Sequence, residues 1–481
     1  MLVLTLAFSM GHAVAAEDGE QASSYTRMLA RKNQEFMSGD AVILGELPVQ
    51  EAKDYTLMVY MIGSNLESKL GSASADVEEM EESGLDFEST NLILYTGGSA
   101  RWFSDVPCDR NCVIDMSRQG ENRVVAGTAK NADMGAFETL AAFVNFCTEK
   151  YPAEHYGLIL WDHGGGPLWG YGADELFQGD GLLLSEMQLA MERTVFSESR
   201  KLDFVGFDAC LMGNLETMAV WAPYAEYFVA SEELEPGDGW DYHFLKALNQ
   251  KSKDAVKVTT AIVQSYEKYY KANQTQYFHP DVTLSVTKLS EIREVQATLA
   301  NAALVMTKDM EHGQAKELFA TRAKAKSFGM TGRIEDGTQF YYDLVDMGSF
   351  AEEFKKRSET EGKEMLAALK KFVVKNYSNV EGASGVTFYY PANNRMQYHE
   401  MRETYEKLGL NREYGDFIKS VGRSWLSSER QDFDLAALTL NEKGTEYVLP
   451  LTEEQAAAVV NASASILVRE ESGEFWAAMF L

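Results

Sequence analysis

Two short stretches of this chain carry side chains able to attack a carbonyl carbon. Asp162-His163-Gly164-Gly165-Gly166 closes one apolar run, and Asp208-Ala209-Cys210 closes another. A cysteine thiolate is a strong nucleophile near neutral pH, and an imidazole beside it favours its formation and later protonates a leaving amine. His163 and Cys210 are therefore a candidate pair for acyl transfer. Blander readings exist for each alone: a cysteine after a strand is commonly a small buried hydrophobe, and a histidine beside glycine a loop residue. The glycine triplet could cradle a phosphate, yet no Gly-Lys-Ser/Thr follows it and no Gly-x-Gly-x-x-Gly opens a helix. The conjunction of the two ends is what favours hydrolysis.

Both candidates leave the carboxyl ends of strands. Leu158 to Trp161 and Leu202 to Phe207 are short continuous apolar runs, the pattern of strands buried on both faces. In an open α/β sheet the carboxyl edge is where ligands bind, so a His and a Cys delivered there face one another across a crevice. Further strands are expected at Thr56 to Ile62, Leu92 to Thr96, Tyr227 to Ala230, Thr283 to Thr287 and Val386 to Tyr390. Amphipathic helices are expected at Ser185 to Phe196 and Asp254 to Ala272. Strands alternating with helices predict an α/β fold, a mostly parallel sheet flanked by helices. After about residue 430 the pattern changes to short β-like pieces, Thr445 to Leu449 and Ala464 to Val468, and a small C-terminal β-rich addition over 430–481 is expected.

The chain resembles the clostripain family of cysteine peptidases, in the clan of caspases, legumain and gingipains. The likeness is carried by Tyr55 to Met61 followed by Gly63-Ser64-Asn65-Leu66-Glu67, by Glu138-Thr139-Leu140, by Tyr151 to Tyr156, by Asp208 through Cys210-Leu211-Met212-Gly213 to Glu216, by Ala230-Ser231-Glu232-Glu233 and by Glu235 to Trp240. It runs over roughly residues 54 to 395 and implies a caspase-like fold with a peptidase domain at 51–429. It implies a His163–Cys210 dyad working through a thioacyl-enzyme, with the backbone N–H groups of Gly164 and Cys210 as the oxyanion site. Glycine beside the His lets backbone approach the substrate closely.

Asp208, two residues before Cys210, alternates to the same side of an extended strand and can line the pocket beside the scissile bond. Asp238 aligns with the second pocket acid of the family. Two acids clamp a guanidinium bidentately, so the resemblance implies cleavage of proteins or peptides after Arg, and less well after Lys. Taken singly, Asp208 could be a structural or helix-capping carboxylate and Asp238 a turn residue. No metal ligand set is evident and the chemistry requires no cofactor. Relatives often respond to calcium, so calcium dependence is an open expectation, although no EF-hand-like loop occurs.

Length and charge agree. A chain of 481 residues suits one large α/β domain with additions. Lys and Arg total 44 against 73 Asp and Glu, a net charge of −29 that repels nucleic acid and anionic lipid while attracting cationic substrates. Residues 1–16 hold an apolar core, Leu2 to Phe8, and an Ala13-Val14-Ala15 stretch like a signal-peptidase site, though without a basic start. Bacterial-type export to a secreted or cell-surface location is expected, with 17–50 as a leader or pro-segment. No segment reaches the roughly 18 apolar residues of a membrane span. Cys108 and Cys112 are either a local disulfide or two free thiols, and Cys147 is a core residue.

Family members are often activated by self-cleavage after a basic residue in the loop following the His. Here no Lys or Arg occurs from Gly164 to Glu192, so processing is expected instead in the leader, after Arg27, Arg31 or Lys32. Two rival readings are a catalytically idle binding or surface protein on the same fold and a nucleotide-binding α/β protein using the glycine triplet.

Overall fold

The fold follows from apolar runs that have no polar face. In the strand Lys53–Ile62 (β1), every residue from Tyr55 to Ile62 is buried. Alternate residues feed different cores: Leu57, Val59 and Met61 pack into one cluster, and Met58, Tyr60 and Ile62 into the other. Only a sheet covered on both faces accommodates such a strand. Each large side chain so buried contributes roughly 1.5–3 kcal/mol relative to exposure.

The computed structural model describes residues 2–9, 41–250, 253–275, 280–331, 340–409, 411–427, 439–440, 447–448, 461–469 and 475–478. Its main sheet has nine strands. After β1 come Thr90–Gly97 (β2), Cys112–Asp115 (β3), Val124–Gly127 (β4), Ala153–Trp161 (β5), Leu202–Asp208 (β6), Ala225–Ala230 (β7), Thr283–Lys288 (β8) and Val373–Ser378 (β9). Their spatial order is β9-β8-β7-β6-β5-β1-β2-β3-β4. The stretch from β7 to β2 is parallel throughout. Antiparallel pairs complete both sides, β8 and β9 at one edge and β3 and β4 at the other.

One face is covered by the helices Phe137–Lys150, Leu184–Glu192, Leu215–Trp221 and Ile292–Glu311. The other carries Ser72–Glu82 and Ala255–Ala272. The mixed α/β architecture, a large and mostly parallel sheet between helices, is the expected one. Thr387–Tyr389 does not join this sheet as its apolar run suggested. It pairs with Phe340–Asp346, which pairs with Ser327–Thr331, in a separate antiparallel sheet.

Leu2–Ser9, within the stretch read as an export signal, is a strand antiparallel to Asn461–Arg469, which also pairs with Phe475–Ala478. Thr439–Leu440 pairs with Tyr447–Val448. The leader sites Arg27, Arg31 and Lys32 lie outside the described residues. No helix among the described residues is long and apolar enough to cross a membrane. Cys108 and Cys112 are free thiols, and Cys147 is buried in its helix.

Candidate active site

Register brings the two candidate residues together. β5 and β6 run side by side with Trp161 level with Asp208, so His163 and Cys210 each stand two residues beyond the same rung. Asp162 N–H still donates to the Asp208 carbonyl at 3.3 Å, carrying the pairing past the strand ends. Beyond that point Gly164 lies directly on the Cys210 backbone: a Cβ there would sit 1.9 Å from the Cys210 carbonyl oxygen and 3.1 Å from its nitrogen. No side chain fits, which is the physical reason for glycine at this position. Gly165 is filled likewise, with the Trp169 Cβ 2.4 Å from where its own Cβ would stand. The triplet is thus occupied by protein, which speaks against a phosphate cradle. Gly164 bridges to Tyr171 through bonds made by its neighbours, Gly165 N–H to Gly170 and Gly172 N–H to His163. That bridge leaves the N–H of Gly164 itself unused.

The turn carrying Cys210 is held at several points. Leu211 adopts a left-handed φ of 63°, a conformation that costs a non-glycine residue energy and persists only where surroundings enforce it. Here Leu211 N–H donates to Glu233 O, Gly213 N–H to Ser231 O, and Thr387 N–H to Gly213 O. Asn214 then caps the helix Leu215–Trp221, accepting from Thr217 N–H at 2.8 Å.

His163 is half-buried, and its Nε2 lies 2.7 Å from Asn65 Oδ1. The amide oxygen only accepts, so Nε2 carries the proton and Nδ1 keeps the lone pair. Asn65 lies in the Gly63-Ser64-Asn65 stretch just after β1, and its role was not legible from spacing. Ser64 beside it is also left-handed, with φ 49°.

Cys210 is half-buried, and its Sγ accepts from Glu235 N–H at 3.2 Å. Burial pushes the thiol up to about 12; the Glu235 and Glu233 carboxyl groups add to the shift and the Glu235 N–H opposes it. The surroundings of Cys210 therefore favour the thiol over the thiolate.

Asp208 ends β6 facing the opposite core from Ala209 and Leu211, and the strand stops there, so simple alternation does not carry on to Cys210. Both residues nevertheless meet the 231–240 loop. Asp208 is buried and accepts from Tyr242 Oη at 2.9 Å and Trp240 N–H at 3.1 Å. Burial raises its carboxyl to about 7 against those hydrogen bonds. Asp238 is exposed and accepts from Tyr269 Oη at 3.0 Å. Two acids not singled out by sequence lie nearby, Asp76 and Glu235, both held well above the usual carboxylate range by burial and then by Asp208.

The segment after His163 folds closely on the core. Tyr171–Asp174 and Asp180–Leu182 form a hairpin. Asp174 accepts from Met134, Leu176 and Phe177 N–H, and the hairpin backbone at Asp180 lies 2.7 Å from where a Cβ on Gly135 would be. Among the described residues Glu79, Asp241 and His243 place carboxylate and imidazole atoms within 4.8 Å of one another. Glu79 and Asp241 are already engaged by Tyr242 N–H and Ser265 Oγ.

The chain resembles proteins of known kind. It is 29% identical over 220 residues to clostripain from Hathewaya histolytica, a match covering 39% of this chain and 40% of that protein, so it spans under half the length of that relative. The fold resembles a secreted C11 cysteine protease from Bacteroides thetaiotaomicron in complex with an irreversible peptide inhibitor (TM-score 0.53, 18% identity, 74% of this chain and 99% of that one). It equally resembles an inactive zymogen C11 protease from Parabacteroides distasonis (TM-score 0.54, 18% identity, 76% and 99%). Residues 59–420 match the clostripain family (Peptidase C11), three quarters of the sequence, and the chain belongs to that family.

Proposed function

We propose that this protein is an exported cysteine endopeptidase that cleaves after Arg, and less well after Lys, using His163 and Cys210. The observation that carries this reading is the placement of both residues two positions past one rung of β5 and β6, with Gly164 pressed on the Cys210 backbone.

With Nε2 held by Asn65, Nδ1 of His163 takes the Cys210 proton as Sγ attacks the scissile carbonyl carbon. The carbonyl π electrons move onto oxygen, and the N–H groups of Gly164 and Cys210 receive that oxyanion. The imidazolium then protonates the leaving amine as the C–N bond breaks, giving a thioester. Water, deprotonated by the same imidazole, attacks the thioester and releases the acid and the thiol. No step draws on a cofactor. Asp208 and Asp238 supply negative charge for the cationic side chain before the cleaved bond, Asp208 from within and Asp238 from the rim.

A panel of fluorogenic peptides differing only at the residue before the cleaved bond tests the reading. Turnover should rank Arg over Lys over Ala. Asp208→Asn should reduce kcat/KM on Arg peptides at least about thirtyfold, since losing one partner of a desolvated charge pair costs roughly 2–5 kcal/mol. Asp238→Asn should cost less, its carboxylate being exposed and screened. A ranking unchanged in both variants would place the pocket elsewhere, and turnover by Cys210→Ala would end the cysteine-peptidase reading.

A further inference from the structure

Three carboxyl groups from distant parts of the chain converge beside the Cys210 turn. Asp76 comes from the helix Ser72–Glu82, Asp208 from the end of β6, and Glu235 from the loop after β7. Asp76 and Asp208 are 5% and 4% exposed. Asp76 accepts from Trp161 Nε1 at 2.5 Å, so the side chain that ends β5 connects it to the same rung as Asp208. Glu235 approaches Trp240 Nε1 at 3.4 Å, and its carboxyl shares a hydrogen bond with that of Asp208. None of the three forms an ion pair with Lys, Arg or His among the described residues.

A buried carboxylate without a countercharge is costly, and such groups stay protonated or find a cation. The groups facing the cluster supply none: they are Glu79, Asp238, Tyr242, Tyr266, Tyr270 and the Cys210 thiol. All are acidic or neutral, and burial holds the three cluster carboxyls above the usual carboxylate range. What the cluster lacks is one positive charge, and it lies next to the nucleophile.

We propose that Asp76 and Glu235 are specificity-determining residues which, with Asp208, form the floor of the pocket for the cationic side chain before the scissile bond. This rests on the peptidase reading above. A guanidinium can bridge two planar carboxylates at once, which a Lys ammonium matches less well. Its entry expels a proton from the cluster, so cation binding weakens about tenfold for each pH unit below the titration of the cluster, per proton expelled.

The test compares the full-length protein with Asp76→Asn and Glu235→Gln on matched Arg and Ala peptides, with thermal midpoints for all three. Asn keeps an acceptor for Trp161 Nε1 and removes a buried like charge. The expected result is an Arg-over-Ala preference at least tenfold lower in each variant, with midpoints unchanged or raised. Equal loss on both peptides with a lowered midpoint would mean a structural role and overturn the inference. Should either variant fail to fold, calorimetry of agmatine binding to wild type in two buffers of different ionisation enthalpy decides, proton release supporting the inference and its absence overturning it. An Arg preference that survives both variants overturns this inference alone. A wild type with no Arg preference overturns the specificity reading and this one with it.

Discussion

Gly164 and Cys210 occupy a space so close that one methyl group would bring carbon within 1.9 Å of the Cys210 carbonyl oxygen. The catalytic geometry proposed here depends on that contact, because it sets the His163 strand end against the Cys210 turn. Gly164→Ala should displace the Cys210 backbone, destabilise the protein by about 1–3 kcal/mol through overpacking, and lower kcat/KM at least a hundredfold. Thermal melts and peptide turnover check this. A fully active alanine variant would mean that the oxyanion site lies elsewhere.

Cys210→Ala and His163→Ala should each abolish hydrolysis with the fold intact, and the double variant should be no worse than either, because the pair acts as a unit. Asn65→Ala should lower kcat about tenfold or more with KM little changed, a part of the roughly 10²–10⁴-fold that a positioned acid–base contributes. A raised KM with kcat unchanged would assign Asn65 a role other than orienting the ring.

Stability should fall as pH rises from about 5 to 8. Burial raises Asp133 to about 8, helped by Asp180 and Asp174, and raises Asp174 to about 6. Unfolded, both titrate near ~3.9. Between those limits the folded state binds more protons than the unfolded one, so increasing pH favours unfolding. Asp133→Asn, which keeps the acceptor for Gly135 N–H, should flatten the dependence of the thermal midpoint on pH. A midpoint that climbs over this range in wild type would contradict the assignment.

Self-cleavage should not occur between Gly164 and Glu192. That segment has no Lys or Arg, and the hairpin within it is bonded to Met134 through Asp174 rather than free to extend into an active site. Incubating purified protein and mapping new termini by mass spectrometry should find cuts after Arg27, Arg31 or Lys32 instead. Efficient cleavage inside 164–192 would show the specificity assignment to be wrong.

What was readable in the sequence was what local pattern encodes. The unbroken apolar runs of β1, β2, β5 and β6 announce strands buried on both faces, and the residues past β5 and β6 are the candidate site. β3 and β4 are four residues each, too short for periodicity to register, and the edge strand β9, Val-Val-Lys-Asn-Tyr-Ser, is mostly half-buried and mixes polar with apolar residues without alternation. Contributions from tertiary neighbours were invisible for a different reason. Asn65, Asp76 and Glu235 are ordinary polar residues until folding sets them against His163 and Asp208. The rise of the Cys210 thiol is likewise a property of its surroundings. The choice left open for Cys108 and Cys112 is resolved by placement, Cys112 facing inward on β3 and Cys108 lying exposed on the preceding loop.

The acid-lined seat of Cys210 has a chemical consequence outside catalysis. Thiolates attack peroxide and disulfides far faster than thiols do, and oxidation beyond the sulfenic state is irreversible for most proteins. A sulfur whose surroundings, burial first, favour the thiol offers little thiolate to such reagents. On the proposed reading the arrangement acts as a chemical preservative: the sulfur resists oxidants as a thiol, and its thiolate forms only while the bound chain shields it from solution.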